Sequence, residues 1–196
     1  IDLGISLAGS PPVGSDGTSA RAGMPDLKAT GEIGPQLDLT LWRSDSRARK
    51  LTLILPLRAA FTLTGPPRDK GWVFSPALNL DVADMAGLPG WKLGLRSGPI
   101  FATQRQHAYF YEVAPAQATA TRPAYAASGG YSGSQFLAAL SKRFPTYWVG
   151  GYVRYDNLQG AAFDDSPLVA RNHYLAGGVA VAWIFGESSQ RVSVDD

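Results

Sequence analysis

The chain has 196 residues, a length that fits one domain of moderate size. It carries 18 Lys and Arg residues against 16 Asp and Glu residues, so its net charge is only +2, and no basic cluster indicates a nucleic-acid partner. The chain contains no Cys, which excludes disulfides, thiolate catalysis and Cys-based metal sites. Its 22 Gly and 14 Pro residues argue against a helical bundle.

Apolar and more polar residues alternate along most of the chain. The clearest case is 50–63, where one face carries Leu51, Leu53, Leu55, Leu57, Ala59, Phe61 and Leu63. Strict alternation predicts a strand with one apolar face and one more polar face. In chain order the pattern predicts about eight strands, at 1–8, 32–41, 50–63, 72–82, 91–101, 131–143, 147–158 and 174–185.

The lengths of the strands and of their connections indicate a membrane barrel. Several predicted strands have ten or more residues, and a tilted strand of about 9–11 residues spans a bilayer core. Long and short connections alternate, as in barrels with long external loops and short periplasmic turns. Charged residues are only 17% of the chain, and the less apolar face is filled mainly by small residues. We therefore predict an all-β, antiparallel transmembrane β-barrel of the outer-membrane type. A soluble lipocalin-like barrel or a β-sandwich is the alternative, because alternation alone does not say which face meets water.

Prolines within the predicted strands count against a closed barrel. They are Pro35, Pro56, Pro76 and Pro99. A proline has no N–H for the strand ladder, and a closed barrel has no free edge to accommodate it. Bulges, or strand portions that extend beyond the bilayer, can accommodate some of these residues.

Charged residues lie on the less apolar face of several strands. These inner-face charges are Arg58, Asp81, Arg96 and Arg154, together with Asp38, Lys92 and Asp156. An Arg that faces lipid at the bilayer midplane costs about 2–4 kcal/mol, so we expect these side chains to point into the barrel. Pairing across the interior is the simpler interpretation, and lining a solute pathway is the alternative.

Residues for catalysis are sparse. Only His107 and His173 offer imidazole groups, and His173 follows a loop that contains two aspartates and Ser166. A Ser–His–acid arrangement can be drawn from these residues, but Ser166 precedes Pro167 and lies in no G-x-S-x-G elbow. Turn formation by Asp and Ser is the preferred interpretation. The adjacent aspartates lack the spacing of an EF-hand loop, and we predict no catalytic, metal or cofactor site.

The connection over 104–130 contains Tyr109-Phe110-Tyr111, an Ala/Thr-rich stretch and two prolines. We predict a folded external loop there, with a short helix that lies on or plugs the barrel mouth, or a partner-binding loop, as the alternatives. Residues 187–196 read as a polar tail after a single barrel domain over 1–186. The chain opens at Ile1 without Met, so we expect that a signal peptide, or more than a signal peptide, has been removed.

Several short motifs resemble one family. They are Gly23-Met24-Pro25-Asp26-Leu27, Gly34-Pro35, Leu55-Pro56-Leu57-Arg58, Tyr109-Phe110-Tyr111-Glu112-Val113 and Arg122-Pro123-Ala124-Tyr125. The most specific stretch, over 148–169, contains Tyr155-Asp156-Asn157-Leu158, Gly160-Ala161 and Asp165-Ser166-Pro167-Leu168-Val169. These motifs resemble the MltA-interacting protein family of outer-membrane proteins (MipA/OmpV-like).

The resemblance implies a scaffold at the outer membrane of a Gram-negative bacterium. Such a scaffold contacts outer-membrane lipid and tethers peptidoglycan-remodelling enzymes, namely a lytic transglycosylase and a penicillin-binding protein, without chemistry of its own. The resemblance also implies further strands before Ile1, for a barrel of ten to twelve strands. A porin-like channel or solute-binding barrel is the first alternative, and a lipid-modifying barrel enzyme that uses Ser166 and His173 is the second.

Overall fold

The computed structural model describes residues 1–17, 19–85 and 87–185. Within these ranges the chain forms one antiparallel sheet and one α-helix, α1 (Gln104–Tyr111). The strands are β1 (Asp2–Ser10), β2 (Thr30–Arg43), β3 (Arg49–Thr62), β4 (Asp69–Phe74), β5 (Ala77–Met85), β6 (Leu88–Ala102), β7 (Gly130–Arg143), β8 (Tyr147–Asn157) and β9 (His173–Trp183). No helix in the described part of the chain is long and apolar enough to cross a membrane. The predicted tail over 187–196 lies outside the described residues.

The strands follow one another across the sheet in chain order. β4 and β5 lie end to end between β3 and β6, so nine strands occupy eight positions. The all-β, antiparallel prediction and its eight positions are confirmed. The prediction of one continuous strand over 72–82 is wrong, because the ladder is interrupted at residues 75–76.

Two prolines explain where the interruption falls. The Pro56 carbonyl accepts a hydrogen bond from the Ser75 N–H at 3.4 Å, so Pro56 points toward the interruption. The N–H and C=O of a residue in an antiparallel ladder point to the same neighbour, so the N–H that Pro56 lacks belongs on that side. Pro76 lies within the interruption itself, whereas Pro35 and Pro99 are accommodated inside β2 and β6. The prolines therefore break one strand and leave the sheet continuous.

The inner face of the sheet is the more polar one and the outer face the more apolar one, the reverse of a water-soluble protein. On β3 the inward-facing Arg58 and Thr62 are 8% and 3% exposed, whereas the outward-facing Leu57 is 43% exposed. Large apolar side chains point outward along the other strands as well. They include Leu3, Ile5, Leu7, Ile33, Leu78, Phe101, Phe136, Val153, Leu175, Val179 and Val181. A continuous apolar surface of this kind is rare on soluble monomers.

The sheet curves around a polar interior. One cavity is lined by residues from eight of the nine strands, including Ser6, Glu32, Arg58, Val73, Ala77, Arg96, Gln135 and Arg154. The fold is therefore barrel-like. β1 and β9 end the sheet, and no ladder joins them within the described ranges. The expected completion of the barrel by further strands stays a prediction.

Gly98 is required where β6 passes the interruption. A Cβ atom at Gly98 would clash with the Pro76 carbonyl oxygen and lie 2.7 Å from the Ala77 Cα. Both obstacles are backbone atoms, so they cannot move aside as a flexible side chain can. The inward-facing Gly4 on β1 has no atom within 4 Å of the same position.

We therefore expect Gly98→Ala to lower the free energy of unfolding by about 1–3 kcal/mol, because the sheet must open locally to accept the methyl group. Gly4→Ala is the matched control and is expected to leave stability unchanged or slightly raised. Urea unfolding in detergent micelles, followed by tryptophan fluorescence, measures both. Equal stability of the two variants would show that the interruption can relax.

Candidate functional site

Three long connections, over 11–29, 103–129 and 158–172, lie at the same end of the sheet and pack together. We call them the cap. Buried apolar side chains in the cap are Met24, Leu27, Val113, Ala127, Ala161 and Phe163. A conventional hydrophobic core therefore sits over one mouth of the curved sheet, whereas the interior of the sheet is polar.

Helix α1 is the part of the cap that faces the interior. It begins after Thr103, whose carbonyl accepts hydrogen bonds from the Gln106 and His107 N–H groups at 3.0 and 3.2 Å. A helix of eight residues is marginal alone, so its packing over the mouth stabilises it. Gln106 and Phe110 line the cavity below. The prediction that this connection is folded is thus confirmed, and it contains the short helix named as an alternative. Its external location stays a prediction.

Two buried arginines tie the cap together. Arg122 donates hydrogen bonds to three backbone carbonyls at 2.8–3.0 Å, those of Ala20, Ala22 and Gln117. Arg21, in the first connection, donates a hydrogen bond to the Phe110 carbonyl of the second connection at 3.2 Å. Burial lowers the pKa of the Arg21 guanidinium, and the nearby charge of Arg122 lowers it further. A planar guanidinium with five donors suits this bridging, which a lysine cannot reproduce.

Ser166 has a structural partner in the cap. Its hydroxyl donates a hydrogen bond to the Tyr111 carbonyl at 2.7 Å. The Tyr111 ring stacks on Phe163 with 3.7 Å between ring centroids. His173 is exposed at the start of β9, and no hydrogen bond joins it to Ser166 within the described ranges. The Ser–His arrangement drawn from the sequence therefore has no contact to support it.

His107 is the buried histidine of the cap. Its Nδ1 donates a hydrogen bond to the Ser128 carbonyl at 2.6 Å, which leaves Nε2 to accept one from the Ser132 hydroxyl at 2.7 Å. Burial is the main influence on the His107 pKa and lowers it, and the hydrogen bond to Ser128 opposes this shift. The neutral imidazole is therefore the form that fits between the cap and β7.

Successive residues of the 148–169 motif that lie in β8 alternate between the two faces of the sheet. Tyr155 points outward and is 43% exposed. Asp156 points inward, pairs with Arg154 at 2.9 Å and accepts a hydrogen bond from Gln135 at 2.8 Å. This segment therefore combines an outer apolar position with an inner ion pair.

The loop part of the same motif belongs to the cap. Leu158 lines the interior just below the cap. Gly160 adopts a positive φ of 73°, and its N–H donates a hydrogen bond to the Asp164 carboxylate at 2.9 Å. Asp165 is exposed and Pro167 is half-buried. Among the residues that the structure describes, no group of three or more His, Asp or Glu side chains is placed to hold a metal ion. The motif residues of this loop form turns and packing contacts.

Among the predicted inner-face charges, Arg58 makes the most hydrogen bonds. Its Nε donates to the Glu32 carboxylate at 2.8 Å, and both side chains are largely buried. Its two terminal nitrogens donate to the Ser6 hydroxyl at 3.3 Å and the Ser75 hydroxyl at 3.1 Å. This arginine therefore joins β1, β2 and β3 to the interruption between β4 and β5.

The remaining inner-face charges divide between two cavities. Arg96 and Arg154 line the same cavity as Arg58, which has a volume of about 390 Å³. Asp81 lies toward the end with the short turns, where it accepts a hydrogen bond from Asn79 at 2.8 Å and lines a separate cavity with Lys92. The structure thus brings three of the four predicted charges together and separates Asp81 from them.

A second compartment of about 340 Å³ adjoins the arginine cavity below the cap. The two share five lining residues, namely Glu32, Val73, Ile100, Gln106 and Phe110. The upper compartment is also lined by Tyr111, Leu158 and Phe163. The interior therefore changes from charged to largely apolar toward the cap.

Two residues of the site are not among those that the sequence predicts. Glu32 lies on the inner face of β2 by the same alternation as Asp38, but alternation does not pair it with Arg58. Arg122 occurs in the Arg122-Pro123-Ala124-Tyr125 motif, which does not indicate its role. Its carbonyl partners lie about 100 residues away along the chain, so no local pattern indicates them.

The fold and the site together define an all-β, barrel-like protein with an apolar outer face, a charged interior and a cap over one mouth. The particular family follows from comparison with known proteins. The family model described as MltA-interacting protein MipA matches residues 1–185, so the chain belongs to this family. That membership supports an outer-membrane scaffold role in general. Comparison with curated proteins and with solved structures gave no match.

The lowered pKa of His107 predicts a cap that weakens in acid. The unfolded chain takes up a proton near pH 6.5 and the folded chain only at lower pH, so stability present above pH 6.5 is lost as the pH falls. Thermal unfolding between pH 8 and pH 5 measures this loss. His107→Gln is expected to flatten the dependence, and His173→Gln, at an exposed histidine, is the control that keeps it. An unchanged slope in His107→Gln would contradict the assignment.

Removal of one partner of the Arg58–Glu32 pair is expected to be costly. Arg58→Met leaves a buried carboxylate without its cation, which lowers the free energy of unfolding by about 3–5 kcal/mol. The double variant Arg58→Met, Glu32→Leu is expected to recover most of this loss. Arg68→Met, at an exposed arginine, is the control. Urea titration in micelles compares the four proteins, and a double variant no better than the single one would contradict a paired interaction.

Proposed function

We propose that this protein is an outer-membrane scaffold that tethers a lytic transglycosylase and has no chemistry of its own. The family match over residues 1–185 is the observation that carries the proposal. The family description names an interaction with MltA, a lytic transglycosylase. A penicillin-binding protein is the proposed second member of the assembly, so that the scaffold brings cleavage and synthesis of peptidoglycan to one place.

The outward apolar face supports the location at the membrane. Val179 is 92% exposed and Leu175 is 67% exposed on the outer face of β9. Hydrocarbon is the environment in which such a surface is stable, because in water it would favour aggregation. Arg58, Arg96 and Arg154 lie on the inner side of the same sheet, away from lipid.

The short-turn end of the sheet is the proposed contact surface for the partner. The short connections there join β2 to β3, β5 to β6 and β7 to β8, and we call their surroundings the basic rim. Cationic residues of the basic rim are Arg43, Arg47, Arg49, Lys50, Lys92, Lys142 and Arg143, and its acidic residues are Asp45, Asp81 and Asp84. This excess of positive charge favours a partner with an acidic surface patch and speeds its association at low ionic strength.

Charge reversal at the basic rim tests the proposal. We expect the wild-type protein in detergent micelles to retain a purified lytic transglycosylase in a pull-down. Arg49→Glu combined with Arg143→Glu is expected to reduce the retained enzyme at least tenfold. Arg68→Glu combined with Arg171→Glu makes the same charge change at exposed positions near the cap and is the control.

The two parts of the proposal fail in different ways. If the wild-type protein retains no enzyme at low salt, the tethering role is wrong. If the wild type and both double variants retain the enzyme equally, tethering stands and the basic rim is not the contact surface. Loss of retention in the cap variant alone would move the contact surface to the opposite end.

A further inference from the structure

Arg96 differs from the other arginines of the interior. Arg58 uses its nitrogens on Glu32 and two serine hydroxyls, and Arg154 pairs with Asp156. Arg96 lines the same cavity but makes no hydrogen bond or ion pair within the described part of the chain. A guanidinium held in a partly enclosed space with its donors unused favours an anionic acceptor.

The charges around Arg96 favour a single negative charge. The Glu32 and Asp156 carboxylates are each joined to another arginine. Asp38 faces the same interior and its negative charge acts on Arg96. Its two oxygens accept hydrogen bonds from the Gln36 amide, at 2.9 and 3.1 Å, and no hydrogen bond joins it to Arg96 among the described residues. Arg96 therefore keeps hydrogen-bond donors that no carboxylate of the described residues uses, and these can take up an anionic acceptor. The three inner carboxylates repel a doubly charged phosphate more strongly than a monoanion, so a single negative charge is favoured.

The shape of the space favours a ligand with an apolar body. The arginine cavity opens into the upper compartment along Val73, Ile100 and Phe110, which line both. Volumes of about 390 and 340 Å³ lie within the ~300–1,000 Å³ typical of small-molecule sites. Such sites combine apolar walls with a few polar groups that orient the ligand.

We propose that the capped interior binds a small monocarboxylate with an aromatic or aliphatic body. The carboxylate lies on the Arg96 guanidinium in a two-pronged contact, and the body lies against Ile100 and Phe110 below the cap. This site is a further function, separate from tethering at the basic rim. It gives the solute-binding alternative a specific ligand class and a specific residue.

Calorimetric titration of the whole chain in detergent micelles tests the site, with benzoate as the probe. We expect saturable one-to-one binding of benzoate. Benzamide, which has the same shape without the charge, and inorganic phosphate, which lacks the apolar body, are each expected to bind at least tenfold more weakly. These two probes separate the contributions of charge and of apolar contact.

Variants locate the binding. Arg96→Gln is expected to weaken benzoate at least tenfold. Lys92→Gln removes the same charge from an inner-face position outside the arginine cavity and is expected to leave the affinity unchanged. Thermal unfolding of each variant verifies that it is folded. If Arg96→Gln does not fold, Arg96→Lys replaces it and is expected to weaken benzoate at least threefold, since an ammonium cannot make the two-pronged contact.

Three results would overturn the proposal. They are the absence of saturable benzoate binding, equal binding of benzoate and benzamide, and a wild-type affinity in the folded Arg96 variant. None of these results affects retention of the transglycosylase at the basic rim.

Discussion

Each strand has an apolar face and a more polar face, and the structure depends on the polar face being turned inward. Leu57 and its outward neighbours on β3 are exposed, whereas Thr52, Arg58 and Thr62 on the same strand are buried. A sheet with a polar interior is not held together by burying apolar surface inside it. Its cohesion comes from the strand ladders, which satisfy every paired backbone group, and from inner contacts such as Arg58–Glu32. The apolar side chains then set the surroundings of the protein.

The cap supplies the packed apolar core that the sheet lacks. Its three connections are distant in sequence, and Arg21 and Arg122 join them through backbone carbonyls. Helix α1 lies over the mouth and covers the interior at the cap end. The opposite end, which has the short turns, carries charged residues. The two ends of the molecule therefore suit different tasks, which are enclosure of a small molecule below the cap and contact with a macromolecule at the basic rim.

The interruption between β4 and β5 links the fold to the interior. Pro56 and Pro76 withhold ladder hydrogen bonds there, and Gly98 gives the space that the displaced backbone needs. The Ser75 hydroxyl, which lies outside the regular ladder, accepts a hydrogen bond from Arg58 in the cavity. A feature that counts against a barrel when read along the sequence thus contributes a polar group to its interior.

The antiparallel β-structure and the position of Arg58, Asp81, Arg96 and Arg154 on one face of it follow from the sequence alone, because alternation is a local property of a pleated strand. Alternation does not indicate the interruption within 72–82. The sequence also indicated the family through short motifs in the strands and loops. Tertiary contacts place Asp81 apart from the three arginines, pair Glu32 with Arg58 and join Ser166 to the Tyr111 carbonyl. They also leave Arg96 without a hydrogen bond or ion pair in the part of the chain that the structure describes. Those outcomes depend on strand register, on sheet curvature and on loops about 100 residues apart, which no local pattern specifies.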